Sequence, residues 1–265
     1  MQSGLLHEGG KGCEKSMEEA AKWYEKAAEA DDSCAQANLG FCYDRGNGVK
    51  MDKEKAAYWY KKAADNGESR GMNNLGEMYR TGQGVEINYE EAFRLYQEAA
   101  KDKDNCAIYN MGECYEHGQG VEKNMEKALE MYRQAAELGD SSACCAMGRF
   151  CEYGILMEID MNKAVEWYTK GADSKNKDEE ALYRLALCYA EGKGVAQDEE
   201  KARELCRRAW PENESEKEGI RNDFFNAPND LSQVLSSLKE LLHDEVIGAQ
   251  LDELVEYLKT TPVKK

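Results

Sequence analysis

The chain repeats itself every 36 residues. Gly4, Gly40, Gly76, Gly112 and Gly148 mark the step. So do Ala20, Ala56, Ala92, Ala128 and Ala164, and again Tyr24, Tyr60, Tyr96, Tyr132 and Tyr168. An insertion near "DSKNKDEE" moves the last copy to Ala186, Gly194 and Ala202. A period of this length signals a repeat array, in which each copy is one supersecondary unit and buries its apolar face only against its neighbours.

Gly-x-Gly pairs stand at Gly46 and Gly48, Gly82 and Gly84, Gly118 and Gly120, and Gly192 and Gly194. The first copy carries a variant, "GKGC". One such loop ahead of a helix can cradle a phosphate. A loop found in almost every copy is a structural turn instead.

The second copy shows what one unit is. In "AQANLGFCYDRG", Leu39, Gly40 and Tyr43 share the inner face of a first helix. A mid-helix glycine costs about 1 kcal/mol relative to alanine, so its recurrence predicts a close helix–helix approach. Val49 gives the turn an apolar anchor, and Asp52 is placed to cap the second helix. Ser16, Asn88, Asn124, Asp160 and Asp198 occupy the same position in the other copies. Ala56, Trp59, Tyr60, Ala63 and Ala64 then form an amphipathic stripe of helical period. Each copy is thus two antiparallel helices. The expected fold is all-α: an α/α superhelical solenoid of about six helix-turn-helix repeats with a C-terminal helical cap. Only Met1, Gln2 and Ser3 precede Gly4, so the first repeat is expected to be truncated.

The expected boundaries are 1–210 for the solenoid, 211–228 for a linker or short helix opened by Pro211, and 229–265 for the cap. Leu231, Val234, Leu235, Leu238, Leu241 and Leu242 make one stripe in that cap, and Leu251, Leu254, Val255 and Leu258 a second. The fifth copy departs from the turn pattern with "YGILMEID". There Ile155, Leu156 and Met157 either pack on a neighbouring loop or form an exposed apolar contact site.

The stretches "AQANLGFCYDRGNGVKMDKEKAAYWYKKAADNG" and "NNLGEMYRTGQGVEINYEEAFRLYQEAA" closely resemble the Sel-one-like repeat family, a relative of tetratricopeptide repeats. The resemblance covers roughly Gly4 to Trp210. It implies a scaffold or adaptor for protein complexes. The family includes a cysteine-rich secreted branch that binds penicillins, whose second helices end in "KAC". Here those positions read "KAA", "EAA", "QAA" and "KGA". Small-molecule or glycan binding in the manner of that branch is the alternative function.

Charged residues make up 33% of the chain and the formal net charge is −17. Such a surface disfavours nucleic acid and anionic lipid as partners, and no apolar run approaches the roughly 20 residues of a membrane span. Ten cysteines invite a disulfide reading. Yet Cys34 and Cys42, like Cys106 and Cys114, lie eight residues apart on one predicted helix. That separation is about 12 Å, beyond the reach of about 7 Å between bridged Cα atoms. Cys42, Cys114 and Cys188 share a repeat position with Leu6, Met78 and Phe150, a core position. Reduced thiols and a cytoplasmic location follow as expectations. Cys144, Cys145 and Cys151 lack a CxxC pair and a histidine partner, so no metal is expected. His7, His117 and His243 have no metal spacing, and no residue set fills the roles of an active site. A non-enzymatic chain without cofactor, and a monomer, is the reading.

A protein or peptide segment in the concave groove is the expected ligand. The first helices line that face in related repeats. Asn38, Asn74 and Asn110 fall at one repeat position, and an amide can pair with any extended backbone. Phe41, Glu77, Glu113, Arg149 and Leu187 share a second position, with Tyr109 and Tyr183 at a third. Glu77 and Glu113 favour a basic ligand over the middle repeats, and Arg149 and Arg184 switch the sign toward the C-terminal end.

Overall fold

The computed structural model describes residues 16–175 and 177–209. The expected linker and cap after residue 210, the truncated first helix, His7 and His243 lie outside the described residues. Within them the chain forms eleven helices and no strand. They are α1 (Met17–Glu29), α2 (Ser33–Arg45), α3 (Lys53–Asp65), α4 (Ser69–Thr81), α5 (Tyr89–Ala100), α6 (Asn105–His117), α7 (Met125–Glu137), α8 (Ser141–Tyr153), α9 (Met161–Asp173), α10 (Glu179–Glu191) and α11 (Glu199–Ala209). The fold is an all-α helical repeat solenoid. The described part of the first copy is α1, and each later copy is a pair: α2 with α3, α4 with α5, α6 with α7, α8 with α9, α10 with α11.

Two compact units divide the chain, Met1–Ala181 and Leu182–Lys265. In the first, successive helices from α1 to α9 pack on one another, so α3 touches α2 and α4, and α7 touches α6 and α8. The core is built from the predicted stripe. Ala56 is 0% exposed, Tyr60 2% and Ala63 0%, with Trp59 half-buried beside them. Cys42 and Cys114 are buried, as their repeat position requires. In the second unit, Leu205 and Cys206 of α11 are buried, and Asp198 caps the helix by accepting from Lys201 N at 2.9 Å.

The expected caps are in place. Ser16, Asp52, Asn88, Asn124 and Asp160 each accept a hydrogen bond from the backbone N–H three residues on, at 2.9–3.3 Å. A second ladder of caps serves the first helices. Asp32, Asp104, Asp140 and Asp178 accept from Ala35, Ala107, Ala143 and Ala181 at 2.7–2.9 Å.

The Gly-x-Gly loops are turns. Gly82 ends α4 in the left-handed region, and Asn88 N closes the loop on Tyr79 O at 2.9 Å. Gly84 has φ +73, and a Cβ there would stand 2.3 Å from the carbonyl oxygen of Lys53, the first residue of α3. The loop therefore rests on the start of the preceding second helix. Loop five keeps the closing bond, from Asp160 N to Cys151 O at 2.9 Å. Of its three apolar residues, Ile155 and Met157 pack against the core around Tyr132 and Phe150. Leu156 points outward and is 49% exposed.

Candidate functional site

The second to fifth copies each bring a second-helix tyrosine under the first helix. Tyr60, Tyr96, Tyr132 and Tyr168 are at most 2% exposed. Their rings lie against Gly40, Gly76, Gly112 and Gly148, where an added Cβ would stand 2.3–2.6 Å from a ring carbon. This is the close approach the recurring glycine predicts. Burial of the ring leaves the hydroxyl to find a polar partner. Tyr96 Oη donates to Glu77 at 3.2 Å and Tyr132 Oη to Glu116 at 2.6 Å. Tyr168 Oη donates to Glu152. The Tyr60 hydroxyl has Asn74 beside it. Burial pushes the pKa values of the Tyr60, Tyr96 and Tyr132 hydroxyls up, with neighbouring carboxylates adding to it, so these hydroxyls remain protonated donors.

Arginines bind the carboxylates from the side. Arg80 grips Glu77 with two bonds, Nε at 2.9 Å and Nη2 at 2.7 Å. The bidentate pair keeps the guanidinium charged, against the cost of burial, and Glu113 adds a second attraction. Glu113 accepts from Tyr109 Oη at 3.1 Å. Burial pushes the Glu113 carboxyl above the usual carboxylate range; Arg80 and the Tyr109 hydroxyl oppose this, and Glu77 reinforces it. Arg149 lies 3.7 Å from Glu116. The result is a row of half-buried charges, held from below by tyrosines and sideways by arginines.

The expected ligand-facing residues separate into groups. Glu77, Tyr109, Glu113 and Arg149 join this row. Asn110 donates to Asn73 at 2.9 Å and links α6 to α4. Asn38 is half-buried. Phe41 is 43% exposed, with the Arg45 guanidinium 6.0 Å from its ring. Tyr183 and Arg184, in the other unit, are each 6% exposed and offer a ligand little surface. Sequence reasoning missed Arg80, Glu116 and Glu152. They share one repeat position with Asp44, three residues after the Phe41 and Glu77 position. The same ladder count therefore finds them.

Among the described residues no group of three His, Cys, Asp or Glu side chains is placed to hold a metal ion. No described helix is long and apolar enough to cross a membrane. None of the nine described cysteines is joined in a disulfide.

Stacked helix pairs with a polar row on their first helices define an all-α helical repeat protein. The chain belongs to the Sel1 repeat family: the Sel1 repeat matches residues 2–32, 35–68, 69–104, 107–140, 141–176 and 179–209. Proteins of this family commonly serve as protein-interaction scaffolds and are generally non-catalytic. A Sel1 repeat protein from Oxalobacter formigenes is similar at 32% identity, with a TM-score of 0.73 over 80% of this chain and 84% of that one. The protective antigen c5321 of uropathogenic Escherichia coli, which displays the same repeat fold, is 28% identical with a TM-score of 0.63. That match spans 96% of this chain and 52% of the antigen. The immunity protein Pa5087 of Pseudomonas aeruginosa shares the fold, at 21% identity and a TM-score of 0.57 over 78% of this chain and 82% of its own. No curated relative matches the sequence.

Proposed function

We propose that this protein is a non-enzymatic adaptor that holds an extended segment of a protein partner along the first-helix face of its repeats, in a reducing cytoplasm. The observation that carries the reading is the row Glu77–Arg80–Glu113 and Glu116–Arg149. Its side chains are ordered before any ligand arrives, so a partner does not have to supply the entropy cost of fixing them. Excess carboxylate along the row, with Glu152 beyond it, suits a segment bearing a basic side chain over the middle repeats. Asn38 and Phe41 extend the face toward the N-terminal copies. Unbridged thiols fit a reducing compartment.

The test is affinity capture with the intact chain, a Phe41→Ala chain and an Arg80→Ala chain, against a Lys61→Ala control. Lys61 is exposed on α3. Proteins retained by the intact chain and the control but lost from both variants support the reading. A set of partners unchanged in every variant overturns it.

A further inference from the structure

Loop five carries a feature that groove binding does not use. In the second, third and fourth copies, Gly48, Gly84 and Gly120 hold one turn position at φ +71, +73 and +68. A Cβ at these glycines would stand 2.0–2.3 Å from the carbonyl oxygen of Met17, Lys53 or Tyr89, each the first residue of the preceding second helix. Only glycine permits that contact. The fifth copy places Leu156 there, still left-handed at φ +59. A leucine side chain cannot occupy the space between the loop and the start of α7, and it turns outward. Around it the loop is otherwise conventional. Ile155 N reaches Phe150 O at 3.0 Å, as the matching residues do in the other copies.

The outcome is a costly patch. A non-glycine residue in the left-handed region is strained, and Leu156 also leaves apolar surface in water. Tyr153, Leu156 and Ile159 are 40%, 49% and 67% exposed within seven residues of chain. Strain combined with exposed apolar area is how contact sites are commonly built. Charge indicates what covers it. Glu158 lies in the loop, and Glu122 and Glu126 stand on either side of the start of α7, whose Met125 packs against the same core as Ile155 and Met157. All three are exposed, and among the described residues none of them is in an ion pair. Of the nearby cations, Lys163 is paired with Asp160 at 3.1 Å and Lys127 lies over the Tyr115 ring at 5.1 Å, leaving Lys123 as the opposing charge. A net charge of −17 opposes a second copy of the chain.

We propose that Tyr153, Leu156 and Ile159 form a second docking surface, distinct from the first-helix face, for an amphipathic helix of a partner whose apolar stripe is flanked by lysine or arginine. The leucine packs into that stripe and the three glutamates meet the basic flank.

The test titrates the full chain into labelled synthetic peptides and follows fluorescence anisotropy. One peptide is an amphipathic helix of leucine and lysine. The second keeps its leucines but carries glutamate, and the third keeps its lysines but replaces leucine with serine. Saturable binding of the leucine–lysine peptide alone is expected. Leu156→Gly restores the turn residue of the other copies, so its melting temperature should match or exceed the parent's while the dissociation constant rises about tenfold. Ile159→Ser should weaken binding in the same direction. Binding unaffected by both substitutions overturns the proposal, as does equal binding of the lysine–serine peptide or no binding at all. Sedimentation as a dimer that Leu156→Gly converts to monomer also overturns it, in favour of a second copy of this chain.

Discussion

A methyl group on Gly76 would sit 2.6 Å from Cε1 of Tyr96. Because Tyr96 is 0% exposed, its ring has nowhere to move. Gly76→Ala should therefore cost about 1–3 kcal/mol in urea unfolding, the range for overpacking a closed core. Gly67 is the internal control. Its φ is +81 and no heavy atom lies within 4 Å of an added Cβ, so Gly67→Ala should cost only the backbone strain, about 1 kcal/mol. Equal losses at both sites would mean that the tyrosine contact carries no energy. Glu113 supplies a prediction of a different kind. Its carboxyl is held above the ordinary range by burial, with Glu77 adding to this and Arg80, the Tyr109 hydroxyl and His117 opposing it. The folded state then binds the proton more readily than the unfolded one. Stability from this group is complete below the unfolded value of about 4.3 and is lost as pH rises through the folded value. Glu113→Gln removes the buried charge, so it should raise the melting temperature at pH 7. That gain should vanish near pH 4, and a gain of the same size at both values would rule out the titration argument.

Helices in this protein begin at capping side chains, and the first helices α2, α4, α6 and α8 end at left-handed glycines. Second helices start at Ser, Asp or Asn, and their positions are legible because the residue recurs at the repeat spacing just before an amphipathic stripe. First-helix caps are as regular: Asp32, Asp104 and Asp140 keep the same beat, with Glu68 between them, and the insertion shifts the last to Asp178. Glu68 makes no cap bond, because its longer side chain turns to Cys34 at 3.0 Å and Arg70 at 3.3 Å instead. Asp140 is 8% exposed and accepts from Ala143 N at 2.8 Å. Asp140→Ala should cost about 1–2 kcal/mol, the upper part of the capping range, because water cannot replace the lost acceptor. Turns obey a stricter rule. Gly84→Val adds a branched side chain where the carbonyl of Lys53 already lies within contact distance, and it strains a left-handed backbone. It should lower the melting temperature by several degrees, about what a loss of 1–3 kcal/mol produces in a chain of this size. An unchanged melting temperature would show that the loop does not rest on α3.

Within the first unit, packing is local in sequence but continuous in space, since neighbouring helices from α1 to α9 pack on one another. The thiols report on that continuity. Cys42, Cys114, Cys144, Cys145 and Cys151 of the first unit are buried. Burial pushes the Cys114 thiol up to about 12 and the Cys144 thiol up to about 11, so little thiolate forms near neutrality. Their reaction with a disulfide reagent at pH 8 should be negligible in buffer, and should appear over the urea range in which helical circular dichroism is lost. Early reaction of these thiols would indicate copies that open independently.

Period, helix positions, second-helix caps, a close helix–helix approach at the recurring glycine and buried cysteines follow from the sequence alone; that a tyrosine ring fills the approach does not. Those that follow depend on spacing within a helix or between copies, and the repeat displays each environment several times over. Tertiary structure alone decided which polar groups meet. Arg80 closes on Glu77 and faces Glu113, Tyr132 reaches Glu116, and Asn110 bonds to Asn73. These pairings depend on which rotamers fit once neighbouring helices are packed, and a residue's place in the period does not specify its rotamer. Loop five shows both parts of this. The sequence marks the departure at Ile155, Leu156 and Met157, but only packing could divide them. Two side chains fill the core around Phe150, and the third, denied the space a glycine would have used, faces solvent.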